Sequence, residues 1–178
     1  STTALPVTLS PICGVSVDSE TETCSSFPMT DTFGTGILAG KVAFVAGGTR
    51  GMNLQIARRY AEQGAKVAVL SRNQERVDAA VDELKQIGGE VRGYAGDVRD
   101  YDAIDAAMKS TAEELGNVDL VVAGQAGNFY APAADMSANG FKAVVDIDLV
   151  GTFNVFRASY DVLNKRGALR ALETQVHE

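Results

Sequence analysis

Cysteine and histidine are scarce in this chain, and their placement excludes two kinds of chemistry. The 178 residues hold two cysteines, Cys13 and Cys24, both in the N-terminal segment, and one histidine, His177, beside the C-terminus. A disulfide framework is therefore not what holds the rest of the chain together. With no second histidine and no cysteine cluster, a zinc-like site lacks ligands, and no metal is expected. Long apolar runs are missing too. Nothing approaches the roughly 20 residues of a bilayer-spanning helix, so no membrane partner is expected. Basic residues are the minority, 16 against 23 acidic ones, for a net charge of -7. That disfavours nucleic acid as a partner, which calls for a basic face. The first forty residues contain no Lys or Arg, unlike a secretory n-region or an Arg-rich presequence. The closing Gln175-Val176-His177-Glu178 is no peroxisomal address. Cytoplasmic residence is the expectation.

What is present is an ordinary globular mixture, 46% apolar and 22% charged, long enough for one domain with its own core. Three of the four prolines fall within residues 1–32, alongside many Ser and Thr. No sustained period runs through that stretch, the profile of a disordered or loosely attached leader. Met29, just before the regular pattern begins, is a candidate natural start.

From Lys41 onward, short apolar runs alternate with helical periods. Val42-Ala43-Phe44-Val45, Lys66 to Leu70, Val91 to Ala95 and Val118 to Ala123 read as strands. Being continuously apolar rather than alternating, they predict a parallel sheet covered on both faces. Helices are predicted from about Met52 to Gln63, from an Asn73 cap, from an Asp100 cap, and over roughly Ser137 to Asn164. The fold class is α/β, a Rossmann-like doubly wound parallel sheet of about four strands and four helices. Residues 33–166 form the domain, and 167–178 read as a polar, helix-prone tail.

The informative constellation is strand, then Gly47-Gly48-Thr49-Arg50-Gly51-Met52-Asn53, then helix. A pyrophosphate needs backbone N–H groups that approach without an intervening Cβ, and a helix N-terminus adds favourable partial charge. Gly47 and Gly51 supply the tight turn and the close approach. The bland alternative is a tight turn with no ligand. At the end of the second strand, where an NAD site places Asp or Glu, stands Ser71-Arg72. No carboxylate is there to repel a 2′-phosphate, and Arg72, with Arg50 from the turn, can pair with it. NADP(H) is the expected cofactor. The alternative is two solvated surface arginines.

One carboxylate stands out on the last helix. At about 3.6 residues per turn, Phe141, Val144, Val145, Thr152 and Val155 share a face, and Asp148 falls in its middle while Asp146 points the other way. Asp148 there is costly unless hydrogen-bonded or protonated, which makes it a site candidate. The alternative is a buried Asp satisfied by backbone. Gly151 inside the same helix predicts close packing against a neighbour.

Ala46-Gly47-Gly48-Thr49-Arg50-Gly51-Met52-Asn53 resembles the TGxxxGxG motif of the short-chain dehydrogenases/reductases. Ala46 stands where Thr is usual, and Asn53 where the last Gly is usual. Ala123-Gly124-Gln125-Ala126 stands where that family has Asn-Asn-Ala-Gly. Small residues remain, Gly124 among them, which suits a strand passing under a nicotinamide ribose. Ala126-Gly127-Asn128-Phe129 with Pro132, then Asp146-Ile147-Asp148-Leu149 and Gly151-Thr152-Phe153-Asn154-Val155, resembles the 2,4-dienoyl-CoA reductases within the family.

The resemblance implies a cofactor site at Gly47, Thr49, Arg50, Gly51, Met52, Ser71, Arg72, Asp97, Val98 and Gly124, with Asp97-Val98 against the adenine. It implies substrate contacts at Asn128 and Phe129. It also implies a catalytic-helix position at Asp148, orienting a relay water or, when protonated, hydrogen-bonding the thioester. The implied substrate is an acyl-CoA-like dienoyl or enoyl thioester. Family members next have a strand ending in a catalytic Ser and a Tyr-x-x-x-Lys helix, and this chain has neither: Tyr160 is followed at that spacing by Asn164. The expectation is a truncated product without the fifth strand, inactive alone, and a homo-oligomer when full length. A non-catalytic nucleotide-binding or interaction module is the competing expectation.

Overall fold

The computed structural model describes residues 34–171. The leader 1–32, Met29, both cysteines and His177 lie outside the described residues. Strands and helices alternate as β1 (Val42–Ala46), α1 (Gly51–Glu62), β2 (Lys66–Ser71), α2 (Gln74–Ile87), β3 (Val91–Ala95), α3 (Tyr101–Leu115) and β4 (Val118–Ala123). Then come α4 (Ala138–Val145), a π turn (Asp146–Val150), α5 (Gly151–Ser159) and β5 (Leu163–Ala171). The sheet runs β3-β2-β1-β4-β5, and each neighbouring pair is parallel.

Local chemistry sets these boundaries. Asn73 Oδ1 accepts from Arg76 N at 2.9 Å, and Asp100 Oδ1 accepts from Asp102 N at 3.1 Å. Both expected caps therefore satisfy amides that helices α2 and α3 leave unpaired. All five residues of β1 are buried, so the central strand is sandwiched between two apolar layers. Phe44, Leu70, Ile104, Met108 and Val155 fill one layer; Val45, Val67, Ala57 and Leu84 fill the other. Each large side chain so buried contributes about 1.5–3 kcal/mol relative to exposure. Gly93 on β3 lets α2 approach, since a Cβ there would overlap the Val77 and Val81 side chains.

Two sequence expectations are corrected. The sheet has a fifth strand: Leu163–Ala171 pairs with β4, with Leu120 opposite Ala168 and Ala123 opposite Ala171. The supposed tail therefore begins as sheet, strand β5 crosses the boundary drawn at 166, and the β4 edge is paired. Pairing to a preformed strand overrides the weak local propensity of Asn164-Lys165-Arg166-Gly167. The last helix is also shorter than expected and interrupted. It stops at Ser159, where Val162 N donates back to Ser159 O at 3.1 Å. Val162 O then accepts from Val118 N at 3.0 Å, opening the β5 pairing.

Candidate functional site

The C-terminal ends of β1, β2, β3 and β4 converge on a cleft of about 710 Å³. It lies where the strand order reverses, since β1 leads outward to β2 and β3 on one side and to β4 on the other. That is the crevice in which open α/β sheets hold ligands. All ten residues expected to hold the cofactor line it: Gly47, Thr49, Arg50, Gly51, Met52, Ser71, Arg72, Asp97, Val98 and Gly124.

The glycine turn has the backbone its composition predicts. Gly47 sits at φ +76 and Gly51 at φ +56. A Cβ on Gly47 would come to 3.0 Å from the Gln125 backbone, so only glycine fits the turn against β4. A Cβ on Gly51 would project into open space, so the first turn of α1 presents bare backbone. Arg50 precedes that turn in extended conformation, φ -162, and its side chain does not cap it. The amides are left to a ligand. This cradle fits a pyrophosphate.

Cations surround the β2 end. Arg50 and Arg72 are exposed, and among the described residues neither forms a salt bridge. Arg76 also lines the cleft. Sequence reasoning passed over it; its position one turn into α2, beyond the Asn73 cap, was the available signal. Asp97 is gripped by Arg99, whose Nε lies 3.0 Å from Oδ1 and whose Nη2 lies 2.6 Å from Oδ2. This charge-assisted pair is the main cause holding the Asp97 carboxyl below the usual carboxylate range, against a smaller upward push from burial. Val98 is fixed from behind. Asn154 Nδ2 donates to its carbonyl at 2.9 Å, and a Cβ on Gly151 would come to 2.7 Å from Val98 Cγ2. The close packing expected of Gly151 is thus against Val98 on the cleft wall.

Asn128, Phe129 and Asp148 are not among the residues lining the cleft. Asn128 is exposed and Phe129 is 48% exposed. Asp148 is half-buried on the π turn, and its Oδ1 accepts from Gly127 N at 2.8 Å. Its backbone carbonyl accepts from Thr152 Oγ1 at 2.6 Å, and Thr152 Oγ1 accepts from Gln125 Nε2 at 3.0 Å. The single apolar face expected around Asp148 does not form. Val155 is fully buried while Phe141 is 62% exposed. A π turn adds one residue to a helical turn and rotates what precedes it by roughly 100°. Ile147, not Asp148, faces the cleft. Asp146 pairs with Lys142 at 2.5 Å.

A phosphate-cradling turn at the switch point of a parallel sheet defines a nucleotide-binding α/β domain. The family model described as short chain dehydrogenase matches residues 41–170, and the chain belongs to that family. It is 36% identical over 137 residues to a peroxisomal 2,4-dienoyl-CoA reductase of Arabidopsis thaliana, covering 77% of this chain and 46% of that protein. The Saccharomyces cerevisiae protein of the same description is 37% identical over 146 residues, 79% and 50% of the respective lengths. The chain thus spans about half the length of these relatives. A short chain dehydrogenase from Burkholderia cenocepacia, solved in complex with NADP, superposes with a TM-score of 0.70 at 27% identity, covering 75% of this chain and 55% of that one. Among the described residues, no helix is long and apolar enough to cross a membrane, and no cluster of metal-ligating side chains forms.

Proposed function

We propose that this chain supplies the cofactor half of an NADPH-dependent reductase acting on 2,4-dienoyl-CoA or a related enoyl thioester. The observation that carries the cofactor choice is the end of β2, where Ser71-Arg72 replaces a carboxylate and Arg50 faces the same cleft with no ion pair of its own. NADP in the Burkholderia neighbour agrees. The Gly47 to Met52 amides would hold the pyrophosphate. Arg72, with Arg50 and Arg76 beside it, would hold the 2′-phosphate. Asp97 and Val98 would border the adenine, and Gly124 the nicotinamide ribose. The bound cofactor would supply a hydride. The names of the two curated relatives support the thioester class. Asn128 and Phe129, on the loop after β4, would contact that substrate, and Asp148 would act from the π turn by orienting a relay water or the thioester.

Titration of NADPH and NADH against the protein and Arg72→Asp tests the cofactor assignment. A preference for NADPH that falls at least tenfold in the variant is expected, a loss of about 1.4 kcal/mol in discrimination. An unchanged ratio overturns it.

The 178 residues contain no Tyr-x-x-x-Lys, so they do not themselves carry that proton-donating motif, and no steady reductase turnover by these residues alone is proposed. A second reading, a nucleotide-binding module without catalysis, fits a cleft lined by the expected cofactor residues but not by Asn128, Phe129 or Asp148. Sustained dienoyl-CoA reduction by the purified chain would reject both the inactivity and the module. A second copy of the chain is the proposed partner for the exposed face of α4 and α5. Cytoplasmic residence, expected from the sequence, stands against relatives named as peroxisomal. Imaging a tagged chain decides between them.

A further inference from the structure

Two of the chain's departures from the resembling motifs lie far apart in sequence, Asn53 in place of a glycine and Gly124 in place of an asparagine. The structure puts these two residues in contact. Asn53 lies in the first turn of α1, is only 7% exposed, and donates through Nδ2 to Gly124 O. A Cβ on Gly124 would come to 2.6 Å from Asn53 Cγ and closer still to its Oδ1. No side chain fits at 124 while Asn53 is present. A glycine at the third motif position normally serves close packing of helix on strand. Here the strand supplies the glycine and the helix supplies the bulk.

We infer that Asn53 and Gly124 are a reciprocal exchange, in which α1 rather than β4 provides the amide that fixes the end of β4 beside the cofactor cleft. Gly124 then has both polar atoms fixed: its N–H donates to Ala46 O at 3.1 Å, and its carbonyl is taken by Asn53. A carbonyl only accepts, so the Asn53 nitrogen faces it and the amide orientation follows. Asn53 Oδ1 is left buried with no partner among the described residues, as is Gln125 Oε1. Both residues line the cleft. Both oxygens are shut off from solvent, so Asn53 acts on the cleft through the Gly124 carbonyl it fixes. Asn53 is a positioning residue, and its effect on binding rests on the cofactor reading above.

The test is a double-mutant cycle with two readouts. Without cofactor, Gly124→Ala should lower Tm by about 5 °C beside Asn53 and by no more than about 1 °C beside Asn53→Gly. If Gly124→Ala alone fails to fold, recovery of a folded protein in Asn53→Gly/Gly124→Ala supports the exchange equally. Equal losses in both backgrounds, or two unfolded variants, overturn it. With NADPH, Asn53→Asp keeps the size but turns an acceptor on Gly124 O, and should weaken binding about tenfold. The full exchange, Asn53→Gly/Gly124→Asn, should restore binding to within about twofold. Native affinity in Asn53→Asp refutes the positioning role. If the unaltered chain binds no NADPH, the cofactor reading fails while the Tm cycle still decides the exchange.

Discussion

Asp97 shows how one residue can be legible while its state is not. A carboxylate two residues past the end of β3 is readable from the sequence as a cleft residue. That it is bound by a guanidinium two positions on depends on how the turn folds back, which no periodicity records. Because Arg99 is the main cause of its depressed pKa, the sign of the pH effect is fixed. The contribution of the pair is present above the ordinary Asp value of about 3.9 and is lost as pH falls through the lower folded value. Arg99→Ala should therefore lower Tm slightly at pH 7, the loss being small because both partners are partly exposed. The two proteins should converge at about pH 2. Thermal melts across that range check it, and a gap that widens on acidification contradicts it. The placement of Arg50 and Arg72 on the cleft was legible for the opposite reason: it needs only the end of β2 and the turn before α1 to lie where the pattern puts them. Asp148 was misplaced because an ideal helix was assumed beneath it.

Elements with strong local signals were read correctly. Asn73 and Asp100 announce α2 and α3, and β1, β2 and β4 are largely apolar runs. Strand β5 gave no such signal, because its stability is held by its partner. One residue missed in the sequence shows how that partner is anchored. Asp119, within the apolar run of β4, accepts from Val42 N at 3.0 Å, Lys41 Nζ at 3.1 Å and Asn164 Nδ2 at 3.0 Å. It thereby ties the starts of β1, β4 and β5 together. Burial pushes its carboxyl upward, but the Val42, Lys41 and Asn164 bonds together outweigh that and hold it lower. Asp119→Ala strands a buried amide and should cost about 3 kcal/mol, measured by urea unfolding. A loss under about 1 kcal/mol would show that the three strands start independently.

For the molecule as a whole, the parallel sheet followed from the alternation of strand and helix, and the glycine turn marked its crevice, whereas the surface was not legible. Phe141, Leu149 and Phe153 are 62%, 68% and 64% exposed on α4, the π turn and α5. This exposed apolar face is where the proposed partner would dock. With a second copy as the proposed partner, Leu149→Glu/Phe153→Glu should halve the mass measured by sedimentation at micromolar concentration while leaving Tm within about 3 °C. A monomer before and after the change rejects self-association through this face. The pairing of β1 with β4 carries a consequence of another kind. Ala43 meets Leu120 across the sheet, so the glycine turn gains its opposite wall only after nearly eighty further residues have been added to the growing polypeptide. A nascent chain arrested before Val118 on the ribosome would expose the complete phosphate loop on a crevice with one bank missing. A nucleotide held at this turn would therefore meet both banks of the crevice only once β4 has been made and has closed the loop.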